Sequence, residues 1–276
     1  MYFDTHTHLN LSAFKNDTDE VIRRSLSSGV WMIIVGIDYK SSRRALDLAN
    51  KYERGVYAAV GLHPNSILFS EQEELNPDKE YFNFDAYAKL TDFEKAVAIG
   101  EIGLDYYHLP QDGSRLERQK RQAEIFYQQL LLARQRNLPA IIHCRDAHSD
   151  MIEILHDFRR AHRNLFAGNQ PWAVIHCFSG DEDLAWQYFN LGVLISFTAT
   201  IMYNSDLDNF LRKVPLDKIM LETDCPFLPP PARRGRRNDP TSVILLAQHL
   251  AKLKDITEAE VAEKTNQTAI RFFRLK

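Results

Sequence analysis

Two histidines close the first apolar run of the chain, in Tyr2-Phe3-Asp4-Thr5-His6-Thr7-His8-Leu9. In a β-strand, residues two apart share a face, so His6 and His8 would arrive side by side at one strand end. Two imidazoles placed together can hold one cation, but the spacing alone is a weak signal. Its weight comes from later runs. Glu101 ends one in Gly100-Glu101-Ile102-Gly103, and His143 ends another in Ile141-Ile142-His143-Cys144. His176 follows Val174-Ile175, Asp224 follows Leu221-Glu222-Thr223, and His63 follows a further run in Gly61-Leu62-His63-Pro64. Imidazole nitrogen and carboxylate oxygen without thiolate form a donor set for Zn²⁺, Mn²⁺ or Mg²⁺. Glu101 is placed to bridge two such ions, which about 4 Å apart would clamp the attacking and leaving oxygens of a displacement. Asp224 is placed to touch one ion and to act as general base.

Each of these residues also has a plain structural reading. His143 or His176 alone fits a hydrogen-bonded core histidine. Glu101 fits a partner for an arginine, and Asp224 fits a turn cap before Pro226. Their shared placement decides between the readings, since an isolated carboxylate or imidazole at a buried strand end is costly.

The elements that must bring them together recur along the chain. Apolar runs rich in Val and Ile occupy residues 2–8, 31–37, 56–61, 96–101, 140–143, 173–176, 193–197 and 218–224. Apolar residues at nearly every position mark parallel strands covered on both faces. Helix-like segments lie between them, at 17–28, 41–53, 84–95, 114–136, 149–162, 181–190 and 205–213, and two more, at 240–252 and 257–273, close the chain. The longest opens with Ser114 and Glu117 at capping-box spacing. Eight strand–helix alternations predict one α/β domain over residues 1–276, a TIM-type (β/α)8 barrel whose active face is formed by the C-terminal strand ends. Residues 63–81 are long and acidic for a connection and read as a solvated excursion or a lid.

The 276 residues carry 45% hydrophobic side chains and a net charge of −3, a soluble composition with no global signal for nucleic acid or membrane. No apolar run reaches membrane-span length, and the N-terminus lacks a signal-peptide pattern. Cys144, Cys177 and Cys225 make no disulfide framework, which fits a reducing, cytoplasmic setting. Cys144 and Cys177 each adjoin a candidate ligand, so strand alternation turns them outward beneath the helices. Arginines cluster in Arg233-Arg234-Gly235-Arg236-Arg237-Asn238, after the Pro-rich stretch that follows Asp224. Guanidinium forks suit phosphate oxygens, although a basic run is often only a solvated turn. Arg233, Arg237, Asn238, Arg145 and His63 are therefore candidate substrate-binding residues. Tyr106, Tyr107 and Phe178 are candidates to stack on bases or to pack the rim.

The strings FDTHTHL, GLHP, GEIGLDY, IIHCRDA, IHCFSGD, ETDCPFLPP and RGRRNDP, in that order over residues 3–240, resemble the motifs of the TatD-type metal-dependent deoxyribonucleases. The tail Asn266-Gln267-Thr268-Ala269-Ile270-Arg271-Phe272-Phe273 resembles the closing helix of that family. The resemblance implies a TIM barrel, two divalent metal ions and phosphodiester hydrolysis, often as a 3′-to-5′ exonuclease on single-stranded DNA or 3′ ends. It matches His6, His8, Glu101, His143, His176 and Asp224 to the metal-binding positions, and His63 to one near metals and substrate. Asn10 stands where the family often has Asp, Thr7 where it often has Cys, and residues 65–81 form an insertion-like segment. The same strand-end pattern also serves amidohydrolase-like enzymes that cleave small amides, lactones or phosphate esters. Glu101, the Gly103-Leu104-Asp105 continuation and the arginine loop favour the phosphodiesterase. A barrel that only binds is a third reading, disfavoured by a complete ligand and acid–base set. No obligate protein partner is evident.

Overall fold

The computed structural model describes residues 1–69, 79–166, 170–203 and 205–275. Eight parallel strands form one sheet in sequence order: β1 (Tyr2–Thr7), β2 (Val30–Val35), β3 (Val56–Val60), β4 (Ala96–Asp105), β5 (Ala140–Arg145), β6 (Ala173–Ile175), β7 (Val193–Phe197) and β8 (Ile219–Leu221). Around them lie α1 (Thr18–Ser27), α2 (Tyr39–Ala49), α3 (Phe84–Leu90), α4 (Arg115–Gln135), α5 (His148–Ala161), α6 (Glu182–Asn190), α7 (Asp208–Lys213), α8 (Ser242–Lys254) and α9 (Glu258–Phe273). The expected TIM-type barrel is what forms, nearly closed. Among the described residues no helix is long and apolar enough to cross a membrane.

Two apolar layers follow from strand alternation. Phe3, Ile33, Val35, Tyr57, Ala59, Ile141, Val174, Leu194 and Met220 pack inside the barrel, together with Phe272 and Phe273 of α9. Their neighbours Met32, Ile34, Ile142, Ile175, Ile195 and Leu221 face the helices. Side chains at the C-terminal ends of β1–β8 therefore stand over a packed floor, and α9 contributes to the apolar layer inside the strands.

Closure between the first and last strands is polar. His8 N–H donates to the Cys225 carbonyl at 2.8 Å and Asp224 N–H to the His6 carbonyl at 2.9 Å. Asp4, fully buried, accepts from Thr223 N–H at 2.9 Å and from the Thr223 hydroxyl at 2.6 Å. These bonds make up for a short β8. The apolar run predicts a strand to residue 224, but regular pairing ends at Leu221, and Asp224 stands in a turn with φ 53°.

Other boundaries also move. α3 ends at Leu90 rather than 95. The Ser114/Glu117 capping box does not form, because the Ser114 hydroxyl and amide both donate to Asp112, at 2.5 and 2.9 Å. Of the segment read as a lid or excursion, residues 70–78 lie outside the described residues. Its base is pinned where Leu68 N–H donates to Glu80 O and Glu80 N–H to Ser66 O.

Candidate metal centre

Alternation alone does not aim the first two histidines. β1 pairs with β2 as Tyr2↔Val30, Phe3↔Trp31 and Asp4↔Met32, then as Thr7↔Ile34 after a register shift. Met32 and Ile34 both face the helices, so the extra residue swaps the parity of β1. His6 and His8 consequently turn into the barrel mouth. β4 repeats the device: Ile99 pairs with Ala140 and Ile102 with Ile142, leaving one residue too many at Gly100-Glu101. Glu101 is thereby directed inward. Bulges that re-aim a side chain are found beside active sites. Gly103 is needed next to it, with φ 143° and an added Cβ 2.0 Å from the His143 carbonyl oxygen.

Glu101 is the centre of the cluster. His6 Nε2 and His8 Nε2 lie 3.4 and 3.5 Å from its Oε2, and His63 Nε2, His143 Nδ1 and His176 Nε2 lie 3.4, 2.9 and 2.8 Å from its Oε1. Asp224 Oδ1 faces the same rings, 3.8 Å from His6 Nε2 and 3.3 Å from His8 Nε2. The six residues matched to metal-binding positions therefore meet at one place, with His63 beside them. Ring nitrogens also face each other, His6 Nε2 and His8 Nε2 at 3.1 Å and His143 Nδ1 and His176 Nε2 at 3.3 Å.

Hydrogen bonds around the rings assign their roles. His8 Nδ1 lies 3.1 Å from the Val35 carbonyl, which only a ring N–H can satisfy, so Nε2 offers its lone pair to the cluster. His143 Nε2 lies 3.2 Å from Asp105 Oδ2, which holds the proton there and leaves Nδ1 free. His63 is the opposite case. Its Nδ1 accepts from Asn65 N–H at 3.0 Å, so the neutral ring carries its proton on Nε2, towards Glu101. His63 lies close enough to Glu101 and His143 to share an ion, yet this tautomer makes it a donor rather than a ligand. The backbone amide of Asn65 has a fixed hydrogen, and that hydrogen decides the tautomer.

The charges are coupled. Burial alone would raise the Glu101 carboxyl, but His176, His63 and His6 around it outweigh burial and hold it well below the usual range. Asp224 is likewise lowered against burial, through its hydrogen bond to His8. Burial lowers His6 and His63, whereas His8 and His143 are raised against burial by hydrogen bonds to Asp224 and Asp105 respectively, and His176 by the Glu101 charge.

The donor set fits divalent cations. A carboxylate offers about four lone-pair sites, and five imidazoles converge on Glu101. They cannot all be satisfied by hydrogen bonds to it, and nitrogens that face one another repel unless one is protonated or a cation lies between them. The buried His6 Nδ1 has no hydrogen-bond partner, and His176 Nδ1 has only Glu222 Oε1, 3.4 Å away. Close groups of metal-type donors include His6, His8 and Asp224; His6, His176 and Glu222; and His63, Glu101 and His143. No cysteine is among them. Cys144 lies instead beneath the helices, beside His148 and Tyr188, and burial raises its thiol to about 12.

Residues 3–274 match the family model described as TatD related DNase. The chain belongs to this family. The metal-dependent hydrolase YabD of Bacillus subtilis, itself uncharacterized, is 35% identical over 278 residues, covering 100% of both chains. The 3′-5′ ssDNA/RNA exonuclease TatD of Erwinia tasmaniensis is 30% identical over 287 residues, covering 99% of this chain and 100% of that protein. The crystal structure of YjjV, a TatD homolog from Escherichia coli, aligns with a TM-score of 0.82 at 26% identity, over 100% of this chain and 98% of that one.

Within this TatD-family barrel, several candidate substrate residues are occupied elsewhere. The Arg233 guanidinium donates to Asp239 at 3.0 Å and to the hydroxyls of Ser242 and Thr241, both at 2.9 Å. Arg237 pairs with Asp17 and donates to the Ala13 carbonyl. Asn238 is fully buried, and its amide donates to the carbonyls of Thr223, Phe227 and Leu228 at 3.1, 2.8 and 3.2 Å. It thus holds the turn that carries Asp224. Arg234 and Arg236 are exposed, and no acceptor faces either among the described residues. Arg145 is exposed with its guanidinium 3.9 Å from the centre of the Tyr107 ring.

Of the aromatic candidates, Tyr106 and Phe178 are buried, and the Tyr106 hydroxyl donates to Asp150 at 2.7 Å; Tyr107 is exposed. Asn10 is buried and its amide donates to the Val35 and Ser41 carbonyls, both at 3.0 Å, a role that an ionised Asp could not fill. Two further carboxylates join the site without having stood out as site residues in the sequence. Asp105 accepts from His143, His108 and Asn65, and Glu222 accepts from Ser196 at 2.7 Å and Cys177 N–H at 2.6 Å beside His176. Both sit in apolar surroundings within the same motifs, a signal that could have found them.

Proposed function

We propose that this protein is a divalent-metal-dependent phosphodiesterase that shortens nucleic acid, single-stranded DNA foremost, from the 3′ end. The observation that carries the reading is the convergence of five imidazoles and Asp224 on Glu101 at the mouth of a TatD-family barrel. His6, His8 and Asp224 would hold one ion, and His143 and His176 a second, with Glu101 between them. When bound, two such ions would polarise the phosphoryl group and lower the pKa of water.

The protein groups have separate tasks. The Asp224 side chain is 15% exposed against 4% for Glu101, so Asp224 is the carboxylate that solvent reaches. It is placed to take the proton of the attacking water as general base. His63, a donor through Nε2 and 13% exposed, is placed to hydrogen-bond a phosphoryl oxygen. Arg145, Arg234 and Arg236 are the exposed guanidinium groups available to flanking phosphates. The similarity to an exonuclease acting on single-stranded DNA and RNA supports the substrate class and the 3′ polarity.

The test is stepwise shortening of 3′- and 5′-labelled single-stranded DNA by chelator-stripped protein resupplied with Mg²⁺, Mn²⁺ or Zn²⁺. Glu101→Ala and Asp224→Asn should each lower the rate by about 10²–10⁴-fold while circular dichroism stays unchanged. Activity of either variant within a few-fold of wild type would sink the assignment.

A further inference from the structure

Phe227 is a large apolar side chain left in water at the centre of the molecule's chemistry. It is 51% exposed, and its ring stands edge-on to the His8 ring with centroids 6.2 Å apart. Its backbone is nonetheless firmly held. Phe227 N–H donates to the Asp224 carbonyl at 3.0 Å, and its own carbonyl accepts from the buried Asn238 amide at 2.8 Å. The same loop is braced two residues later, where the Tyr203 hydroxyl donates to the Pro229 carbonyl at 2.9 Å. Tyr203 is itself 50% exposed. A flexible loop commonly folds an exposed phenyl ring into nearby apolar cover; this loop is fastened on both sides and keeps the ring presented.

Other exposed aromatics keep it company. Tyr107 follows β4 at 56% exposure and carries the Arg145 guanidinium against its face. Tyr39, at 38%, follows β2. Tyr39, Tyr107, Tyr203 and Phe227 all come from segments that follow C-terminal strand ends, on the side of the barrel that holds the metal centre. Tyr39 packs edge-on against the buried Tyr87 at 5.8 Å, but neither the core nor hydrolysis at the ions has a use for the exposed Phe227 ring. A nucleobase does, because every base presents a π-face and stacking tolerates any sequence.

Resting on the phosphodiesterase reading above, we infer that Phe227 is the platform on which the terminal nucleobase of a single strand stacks, next to His8 and Asp224. Seated there, the base would set its nucleotide beside the ions. Tyr107 with Arg145 forms a second, cation-bearing ring surface for a neighbouring nucleotide. Duplex ends would enter poorly, since their terminal base is already stacked and paired. Selection for single strands then arises from the rim rather than from the ligands.

The experiment uses the full-length protein and a single-stranded oligonucleotide with 2-aminopurine as its 3′-terminal base. In chelator, where the bond survives, wild type should quench the fluorescence on binding, Phe227→Ala should not, and Phe227→Trp should restore the quench. With metal restored, Phe227→Ala should raise KM by between about five- and a hundredfold, with kcat changed much less. An oligonucleotide with an abasic 3′ nucleotide should be a poor substrate for wild type and should lose no further ground in Phe227→Ala. Phe227→Leu, which keeps bulk without a π-face, should behave like the alanine variant and guards against a misfolded truncation. Equal quenching, KM and abasic discrimination in wild type and Phe227→Ala would overturn the platform while leaving the nuclease intact. Absence of metal-dependent cleavage of any oligonucleotide by wild type would instead overturn the phosphodiesterase reading, and the platform with it.

Discussion

Asp105 is a buried carboxylate whose contacts point away from the metal centre's middle and towards its orientation. Its Oδ2 faces His143 Nε2 at 3.2 Å, His108 Nδ1 at 2.7 Å and Asn65 Nδ2 at 2.9 Å, and its Oδ1 accepts from His108 N–H at 3.0 Å. The carboxylate fixes the tautomer of His143, and with it the nitrogen that faces Glu101. Such partners of a ligating histidine typically matter by about 10–100-fold in metal affinity or activity. Asp105→Asn should therefore weaken metal binding or lower kcat by about that factor, with thermal stability little changed. Calorimetric titration with Mn²⁺ alongside kcat measures both; changes below twofold in each would deny Asp105 this role. The six matched metal-binding positions were legible in the sequence because each is a polar residue ending an apolar run. Asp105 and Glu222 obey the same rule, yet their roles depend on partners 38 and 26 residues away, which no local pattern reveals.

At the scale of elements, the loop between β8 and α8 divides a basic run into two kinds of arginine. Arg233 and Arg237 anchor the loop to Asp239 and to Asp17, whereas Arg234 and Arg236 stay in solvent. Sequence spacing treats the four as one patch, because it cannot see which forks a carboxylate already holds. Neutralising Arg234 and Arg236 to Gln should weaken binding of single-stranded DNA and flatten its dependence on salt. The log–log slope should fall by up to about 1.4, at about 0.7 for each phosphate no longer neutralised. Arg233→Gln should leave that slope alone and lower thermal stability instead. Fluorescence anisotropy across a salt series separates them, and an unchanged slope in the Arg234/Arg236 variant would make the loop a bystander to binding. The register shifts in β1 and β4 belong to this scale as well. The His6/His8 pairing was readable from a period of two, but the face on which the pair lands was decided by one extra residue in β1, as that of Glu101 was by one in β4.

For the whole molecule, ions at the candidate metal centre would tie distant segments together, since His6, Glu101, His176 and Asp224 come from strands or strand ends far apart in the sequence. Ions that bind the folded chain and not the unfolded one stabilise it by mass action, about 2.7 kcal/mol at a hundredfold excess over Kd. Chelation should lower the melting temperature of wild type, restoration of metal should recover it, and Glu101→Ala should respond to neither. A melting temperature indifferent to metal in wild type would argue against high-affinity ions at the cluster.

The sequence by itself determined the fold class, since eight doubly apolar runs alternating with helices have few other ways to cover both faces of each strand. It also marked the candidate ligand types, because a charged or imidazole group that ends a buried run needs compensation wherever it lands. Tertiary structure alone decided which nitrogen of each ring faces the centre, which arginines are left for a ligand and which aromatic rings stay in water. These depend on hydrogen-bond partners and packing surfaces supplied by residues far away in the chain, and for His6, His8 and Glu101 on one extra residue in the register of β1 and β4.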